Sequence, residues 1–425
     1  MTERIIELLK ENPTVTDYRI NTVATESYEL FFVHEKLETV RSTDTRDVKV
    51  TVFVACDGKL GDATFSVYAS YDDDRIRAEI ASACKKASLA ANEPYELPAN
   101  ESFCVESDSN FKEYDMQTLG AEIAEAVFAA DAYEGGSINA LEVFVYRDTV
   151  AVKNSRGIDK TEVRYHAMVE AIPTWNGAEE SVELYECYNF TEFDAATITA
   201  EIDTRMREVR DRLAAKAPES KPSCPVVLGA PELAELFSSL AYELTYTGVY
   251  NRTGAFSRGD DVQKDPRGDR LSVTMCGAVK GSVRSAAFDG DGTTLSDAEV
   301  IRDGRAVGYF GSARYASYVG EKPTGQLGCL RVDAGTLTDG ELRRAPYFRC
   351  ASMSGLQLDI YNDYIGGEVR LAYYFDGERE IPVTGISISG KLSDALSAMR
   401  LSSDLTVYEG YAGPKLASFE GIEIV

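Results

Sequence analysis

The 425-residue chain contains two histidines, His34 and His166, and that scarcity limits the chemistry its side chains can perform. A catalytic zinc is usually held by two or three His, often two of them on one helical face. These two stand far apart in the sequence. His34 separates the apolar run Leu30-Phe31-Phe32-Val33 from Glu35-Lys36 and reads as a hairpin turn, while His166 lies in an alternating strand pattern, Val163 to Val169. Either could serve a Ser-His-Asp triad, but no Gly-x-Ser-x-Gly elbow accompanies it, and no P-loop or helix-opening Gly-x-Gly-x-x-Gly is present. The acids offer little more. Asp72-Asp73-Asp74 suits a helix start better than a cation site. Asp289-Gly290-Asp291-Gly292 could open a calcium loop, but the twelfth position is Val300, with Glu299 one residue early, so the segment reads as a tight hairpin turn. Glu243, Asp260 and Asp261 could share acid–base work only if their surroundings split their pKa values.

The elements that must position these residues follow from periodicity. Residues 2–11 read as an amphipathic helix, followed by strands at about 17–33, 37–44, 47–56 and 60–68 and a helix from Asp72 to about residue 91. A helix at about 115–132, strands near 141–153, 161–172 and 181–190, and a charged helix at about 194–215 form a second unit. Lys216-Ala-Pro-Glu-Ser-Lys-Pro222, with two prolines, is the best boundary in the chain. Beyond it come the strand Pro225–Leu228, a helix at about 231–246, a loop at 251–270, and many short strands with Gly turns. The expectation is an α+β protein. A mixed α/β N-terminal domain, 1–215, has subunits of about 1–98 and 99–215. The linker 216–222 joins it to a strand-rich antiparallel C-terminal domain, 223–425, barrel- or sandwich-like.

Composition restricts partners. Asp and Glu number 70 against 44 Lys and Arg, a formal charge of −26. That field repels phosphate backbones and anionic lipid, so nucleic acid and membrane surfaces are not expected partners. Eight Cys without a Cys-x-x-Cys pair read as reduced thiols. The first residues lack the pattern of a secretory signal, and no apolar run approaches the ~20 residues of a bilayer span. A cytoplasmic location is expected.

Several segments, in order, resemble the TldD/PmbA family of peptide-maturation proteins, once called modulators of DNA gyrase. They are Glu35–Val40 running to Asp57–Gly61, the Asn154-Ser155-Arg156-Gly157 turn, Phe288–Thr293, Ile301–Gly304 with Gly308-Tyr309-Phe310, Ala313–Gly320 with Thr324-Gly325, and Ile381–Leu392 followed by Gly413-Pro414. The resemblance covers about residues 20–425. In the TldD branch it implies a HExxxH motif on the helix after a Val-Val-Leu strand, two His binding zinc and the Glu acting as general base on a metal-bound water. The matching strand here is Val226-Val227-Leu228-Gly229, and the corresponding window is Ser238-Ser239-Leu240-Ala241-Tyr242-Glu243. Ser238 and Glu243 take the two His positions and Ser239 the Glu position. No His follows His166 and no Cys follows Cys350, so an alignment slip restores neither the His pair nor the family's late Cys ligand.

This departure resembles the PmbA (TldE) branch. It implies no metal or other cofactor, no catalytic residue of this chain's own, and a role as accessory subunit beside a TldD-like subunit, or self-pairing, in proteolysis of unfolded peptides. Two other readings remain open: a peptide-binding or regulatory homodimer without an enzymatic partner, and a hydrolase built from carboxylates.

Overall fold

Alternation along Asp17–Val33 puts Tyr18, Ile20 and Leu30 on one side of a long strand and Arg19, Asn21, Glu29 and Phe31 on the other. In the computed structural model, which describes residues 1–90 and 92–425, that strand is the spine of the N-terminal half. The elements there are α1 (Thr2–Glu11), β1 (Asp17–Val33), β2 (Lys36–Cys56), β3 (Lys59–Ser66), α2 (Asp73–Ala87), β4 (Glu101–Glu106), α3 (Met116–Phe128), β5 (Gly136–Asn154), β6 (Ile158–Asn176), β7 (Ser181–Glu183), β8 (Glu186–Phe190) and α4 (Ala195–Ala214). The strands form one eight-stranded sheet in the order β3-β2-β1-β5-β6-β4, with β7 and β8 also on β6.

One face of the sheet is covered by helices. Ile5, Leu8 and Leu9 of α1 and Ile76 and Ile80 of α2 pack on Ile20, Val50 and Val52 at one end. Leu119 and Ile123 of α3 and Ile202 and Met206 of α4 pack on Leu30, Leu141, Val143 and Ala167 at the other. Each such side chain contributes about 2 kcal/mol on leaving water. Asp72, Asp115 and Asp194 accept backbone N–H bonds at the starts of α2, α3 and α4; of the flagged acids Asp72 is the cap, and Asp73 and Asp74 stand in the first turn.

The C-terminal half comprises β9 (Val226–Gly229), α5 (Ala230–Tyr242), α6 (Tyr246–Asn251), β10 (Val273–Cys276), β11 (Ala298–Arg302), β12 (Arg305–Ala306), α7 (Ala313–Val319), β13 (Cys329–Val332), α8 (Asp339–Leu342), β14 (Tyr347–Met353), β15 (Gln357–Asp359), β16 (Tyr364–Phe375), β17 (Glu380–Val383), β18 (Ile386–Gly390), α9 (Leu392–Ala398), β19 (Arg400–Leu401), β20 (Leu405–Tyr408), β21 (Tyr411–Pro414), β22 (Leu416–Phe419) and β23 (Ile422–Ile424). Two curled sheets form, β12-β11-β10-β13-β21-β20 and β19-β22-β9-β14-β16-β18-β23. Pairing is mostly antiparallel, with parallel pairs at β9–β14 and β13–β21. The apolar stripe of α5, Leu233, Leu236, Phe237, Leu240 and Ala241, is fully buried against strands of both sheets. The architecture is α+β with a strand-rich C-terminal domain. No helix among the described residues is long and apolar enough to cross a membrane.

Four elements differ from their sequence reading, and one of them, the strand expected near 181–190, is interrupted at Leu184 and Tyr185 into β7 and β8. The strands expected at 37–44 and 47–56 are one continuous β2, because Thr45 and Arg46 pair with Thr25 and Ala24 instead of turning. The helix from Asp72 ends at Ala87, and the expected end near residue 91 lies outside the described residues. The helix expected at 231–246 divides at Glu243, where Thr245 accepts the Gly248 N–H at 3.2 Å and starts α6.

The halves meet on the sheet face opposite the helices. Phe288 packs on Val152 and Ile158, and the turn at Asp289–Gly292 docks beside them. Arg19 pairs with Asp291, Asn21 Nδ2 donates to the Gly290 carbonyl at 2.8 Å, and Arg314 pairs with Asp62 at 2.7 Å. Lys160, with no exposed surface, donates to Glu101, to the Gly292 carbonyl at 2.8 Å and to Thr294 Oγ1 at 2.6 Å.

Candidate functional site

Ser238–Glu243, the window that the family resemblance aligns with a metal motif, sits at the C-terminal end of α5. The helix is fixed by its buried stripe, so Ser238 and Ser239 are half-buried on its last turn and Glu243 follows it. Glu243 Oε2 accepts the Ala255 N–H at 2.7 Å, and the Tyr361 hydroxyl lies 2.8 Å from the same oxygen. Its carboxylate therefore fastens the loop 252–255 to the helix end. That loop presses close: a Cβ on Gly254 would stand 2.5 Å from the Glu243 carbonyl oxygen. Two hydroxyls and one engaged carboxylate do not suit Zn²⁺. Among the described residues, no group of three or more His, Cys, Asp or Glu is arranged to hold a metal ion.

The other carboxylates named from sequence are also engaged locally. Asp260 accepts the Ser257 N–H at 2.8 Å, and Asp261 pairs with Arg305 at 3.2 Å on the surface. Asp289 accepts from the N–H groups of Asp291, Thr293 and Gln326, at 2.9, 2.9 and 3.0 Å, so its loop is the hairpin turn. Burial, with Asp291 beside it, nevertheless holds the Asp289 pKa above the usual carboxylate value.

What surrounds the end of α5 is aromatic. Tyr242, Tyr250 and Tyr361 are 50%, 44% and 67% exposed. Tyr250 lies 5.8 Å from Tyr315 and 5.0 Å from Tyr318, both on α7. Rings with one polar end suit contact with a polypeptide chain. Between the halves, a cleft of about 430 Å³ is lined by Phe103, Val105, Ala278, Ala287, Thr294 and Leu295.

Next to this cleft runs the helix-free face of the long sheet. His166 stacks on Tyr146 with ring centroids 4.6 Å apart, and its Nδ1 lies 3.6 Å from Asp148. Burial, opposed by Asp148 and aided by Arg164, pushes its pKa below the ordinary histidine value. His34 is exposed in the β1–β2 turn with φ +51°. The structure brings neither histidine to α5. On the same face Glu142 stands opposite Glu170, and burial together with that neighbour raises the Glu142 pKa. The face offers acids and rings to an extended chain, and its hydroxyls are engaged by neighbouring carboxylates: Ser27 donates to Glu29 at 2.8 Å and Thr25 to Asp148.

Sequence reasoning missed the groups at the junction. Lys160 alternates with Ile158 and Glu162 on the buried side of β6, and that period was the available signal. Arg205 of α4 pairs with Glu208 at 2.5 Å and Glu186 at 3.4 Å, beside Tyr188. Near it Glu232, on the first turn of α5, has its pKa pushed up to about 7 by burial. Apart from the Arg205–Glu208 step within α4, their partners come from distant segments, so no local motif marks them.

Comparison with known proteins follows this geometry. Residues 221–424 match the PmbA/TldA metallopeptidase C-terminal domain. The fold is similar over the whole chain to TldE from Thermococcus kodakarensis, with TM-score 0.82 and 14% identity, covering 100% of this chain and 99% of that one. It is also similar to a proposed modulator of DNA gyrase from Thermotoga maritima, with TM-score 0.78, 16% identity, and 100% and 99% of the two chains covered. A third, a proposed modulator of DNA gyrase from Bacteroides thetaiotaomicron, gives TM-score 0.79 and 13% identity over 99% and 97% of the chains. No curated protein sequence matches significantly.

Proposed function

We propose, from the match of residues 221–424 to the PmbA/TldA metallopeptidase C-terminal domain, that the chain is a non-zinc-binding accessory subunit of a TldD-type peptidase. The observation that carries this reading is the end of α5. Ser238, Ser239 and Glu243 occupy the metal window, Glu243 is committed to Ala255 and Tyr361, and no histidine follows His166. The scaffold of the domain is retained while its chemistry is supplied by a partner carrying the His pair. This chain would help to hold unfolded peptide, for which the exposed tyrosines at the end of α5 and the acidic, ring-bearing sheet face are suited. We place it in the cytoplasm beside such a partner.

The test is reconstitution. The purified chain, mixed with a TldD-type subunit, is expected to form a complex and to raise cleavage of an unfolded peptide above that of either chain alone. Absence of both a complex and a rate change rejects the reading. After zinc exposure and desalting, the chain alone should retain less than about 0.1 Zn per chain by elemental analysis. A stoichiometric zinc would reopen the enzyme reading.

A further inference from the structure

Among the described residues, one side of β2 lacks a neighbour over more than half its length. β1 pairs along it from Lys36 to Phe53, but β3 covers only Lys49–Cys56 on the other side. The Val67 N–H then closes on the Val48 carbonyl at 2.9 Å. Residues 36–47 are an open sheet edge, exposed except at half-buried Thr43. At ~3.3 Å per residue the edge is about 40 Å long. It includes Leu37 and Val40, 45% and 47% exposed, and no proline interrupts it. Such an edge presents unpaired N–H and C=O groups to any matching strand.

We propose that this edge pairs with the same edge of a second copy, antiparallel about Ser42, joining two eight-stranded sheets across a two-fold axis. Two arguments select that occupant and agree on the register. The open stretch 36–47 lies between the turn at His34-Glu35 and the Val48 contact, so a symmetric self-pairing about Ser42 uses all of it but Lys36, with Leu37 set against Asp47. The same register sets Glu38 opposite Arg46 and Thr39 opposite Thr45, each twice, with no like charges facing. Moving the axis to Arg41 sets Arg41 against itself and Glu38 against Asp44. Moving it to Asp44 sets Asp44 against itself, and an axis at Thr43 brings no opposite charges together. The β1–β2 ladder shifts register at Phe31/Phe32, leaving Glu38 without a partner on β1. The uninterrupted core of the dimer ladder is therefore 39–45. Pairing of this isologous kind closes both edges at once and does not propagate. It requires nothing of the peptidase reading.

The test uses the full chain alone at tens of micromolar. Sedimentation velocity should give twice the 46.6 kDa chain mass. E38R and R46E, each turning two attractions into two repulsions, should each weaken the dimer by about ten-fold. The double variant E38R/R46E should recover it, which separates pairing from misfolding. S42C, placed on the axis, should cross-link to a dimer on mild oxidation. The parent chain, whose Cys56 and Cys104 are exposed, should not. A monomer at every concentration, or a dimer unmoved by both single swaps and not cross-linked through residue 42, overturns the proposal.

Discussion

Glu232 is partly buried and Lys160 fully enclosed, and the two ionisable groups respond differently to change. Glu232 has its pKa raised from 4.5 to about 7 by burial at the start of α5. Because the folded value lies above the unfolded one, its contribution is fully present below about pH 4.5 and is lost as pH rises through about 7. The swing is roughly 3 kcal/mol. Glu186, whose pKa burial also raises, acts in the same sense. The expected outcome is that E232Q flattens the fall in urea-unfolding stability between pH 5 and 8; an unchanged slope would show that Glu232 is not its source. Lys160 is paired, so its removal should act at every pH. K160A would leave the Gly292 carbonyl without its donor and a void behind it, destabilising by roughly 3–5 kcal/mol, whereas K160M fills the space and should cost less. Denaturant midpoints of the two variants decide it. At this scale the sequence was partly legible. That no histidine follows residue 166 is legible at once, but the work done by Glu243 depends on Ala255 and Tyr361, and nothing near Glu243 in sequence announces the tyrosine.

Elements were easier to read than residues, where local signals sufficed. The acid caps, the β1–β2 turn at His34 and the turn at Asp57-Gly58 all belong to short-range chemistry. Errors arose where pairing overrode local composition. Polar residues around Thr45-Arg46 suggested a break, yet continuous pairing with β1 carries β2 through. The turn at Asp289–Gly292 is likewise legible as a turn, but its role is not, since its partners are Arg19, Asn21 and Lys160. Gly292 has φ +88°, and a Cβ there would lie 3.0 Å from Ile158 Cγ2. G292A should therefore destabilise the docked turn by about 1–3 kcal/mol and increase cleavage there in limited proteolysis, while distant α2 stays protected. Equal protection of parent and variant would refute that.

For the molecule as a whole, the charge of −26 bears on which partners it can take. A name such as modulator of DNA gyrase, carried by proteins of similar fold, invites a direct test. Fluorescence anisotropy should show no binding of duplex DNA at about 150 mM salt and ~10 µM protein, because so acidic a chain gains nothing from counterion release. Saturable binding would point to a basic patch that composition hides. The fold class was legible from periodicity because helices and strands segregate along the chain. The meeting of the halves was not, since it joins residues as far apart as Arg19 and Asp291, separated by 272 positions.

That separation has a consequence for synthesis. Lys160 takes its carbonyl and hydroxyl partners from Gly292 and Thr294, 132 and 134 residues downstream. At roughly 5–20 residues per second, the nascent N-terminal half waits on the order of ten seconds before those partners exist. During that interval an ammonium group destined for complete enclosure stands uncovered on β6, so the first half emerges from the ribosome with an unfinished surface that only the second half can complete.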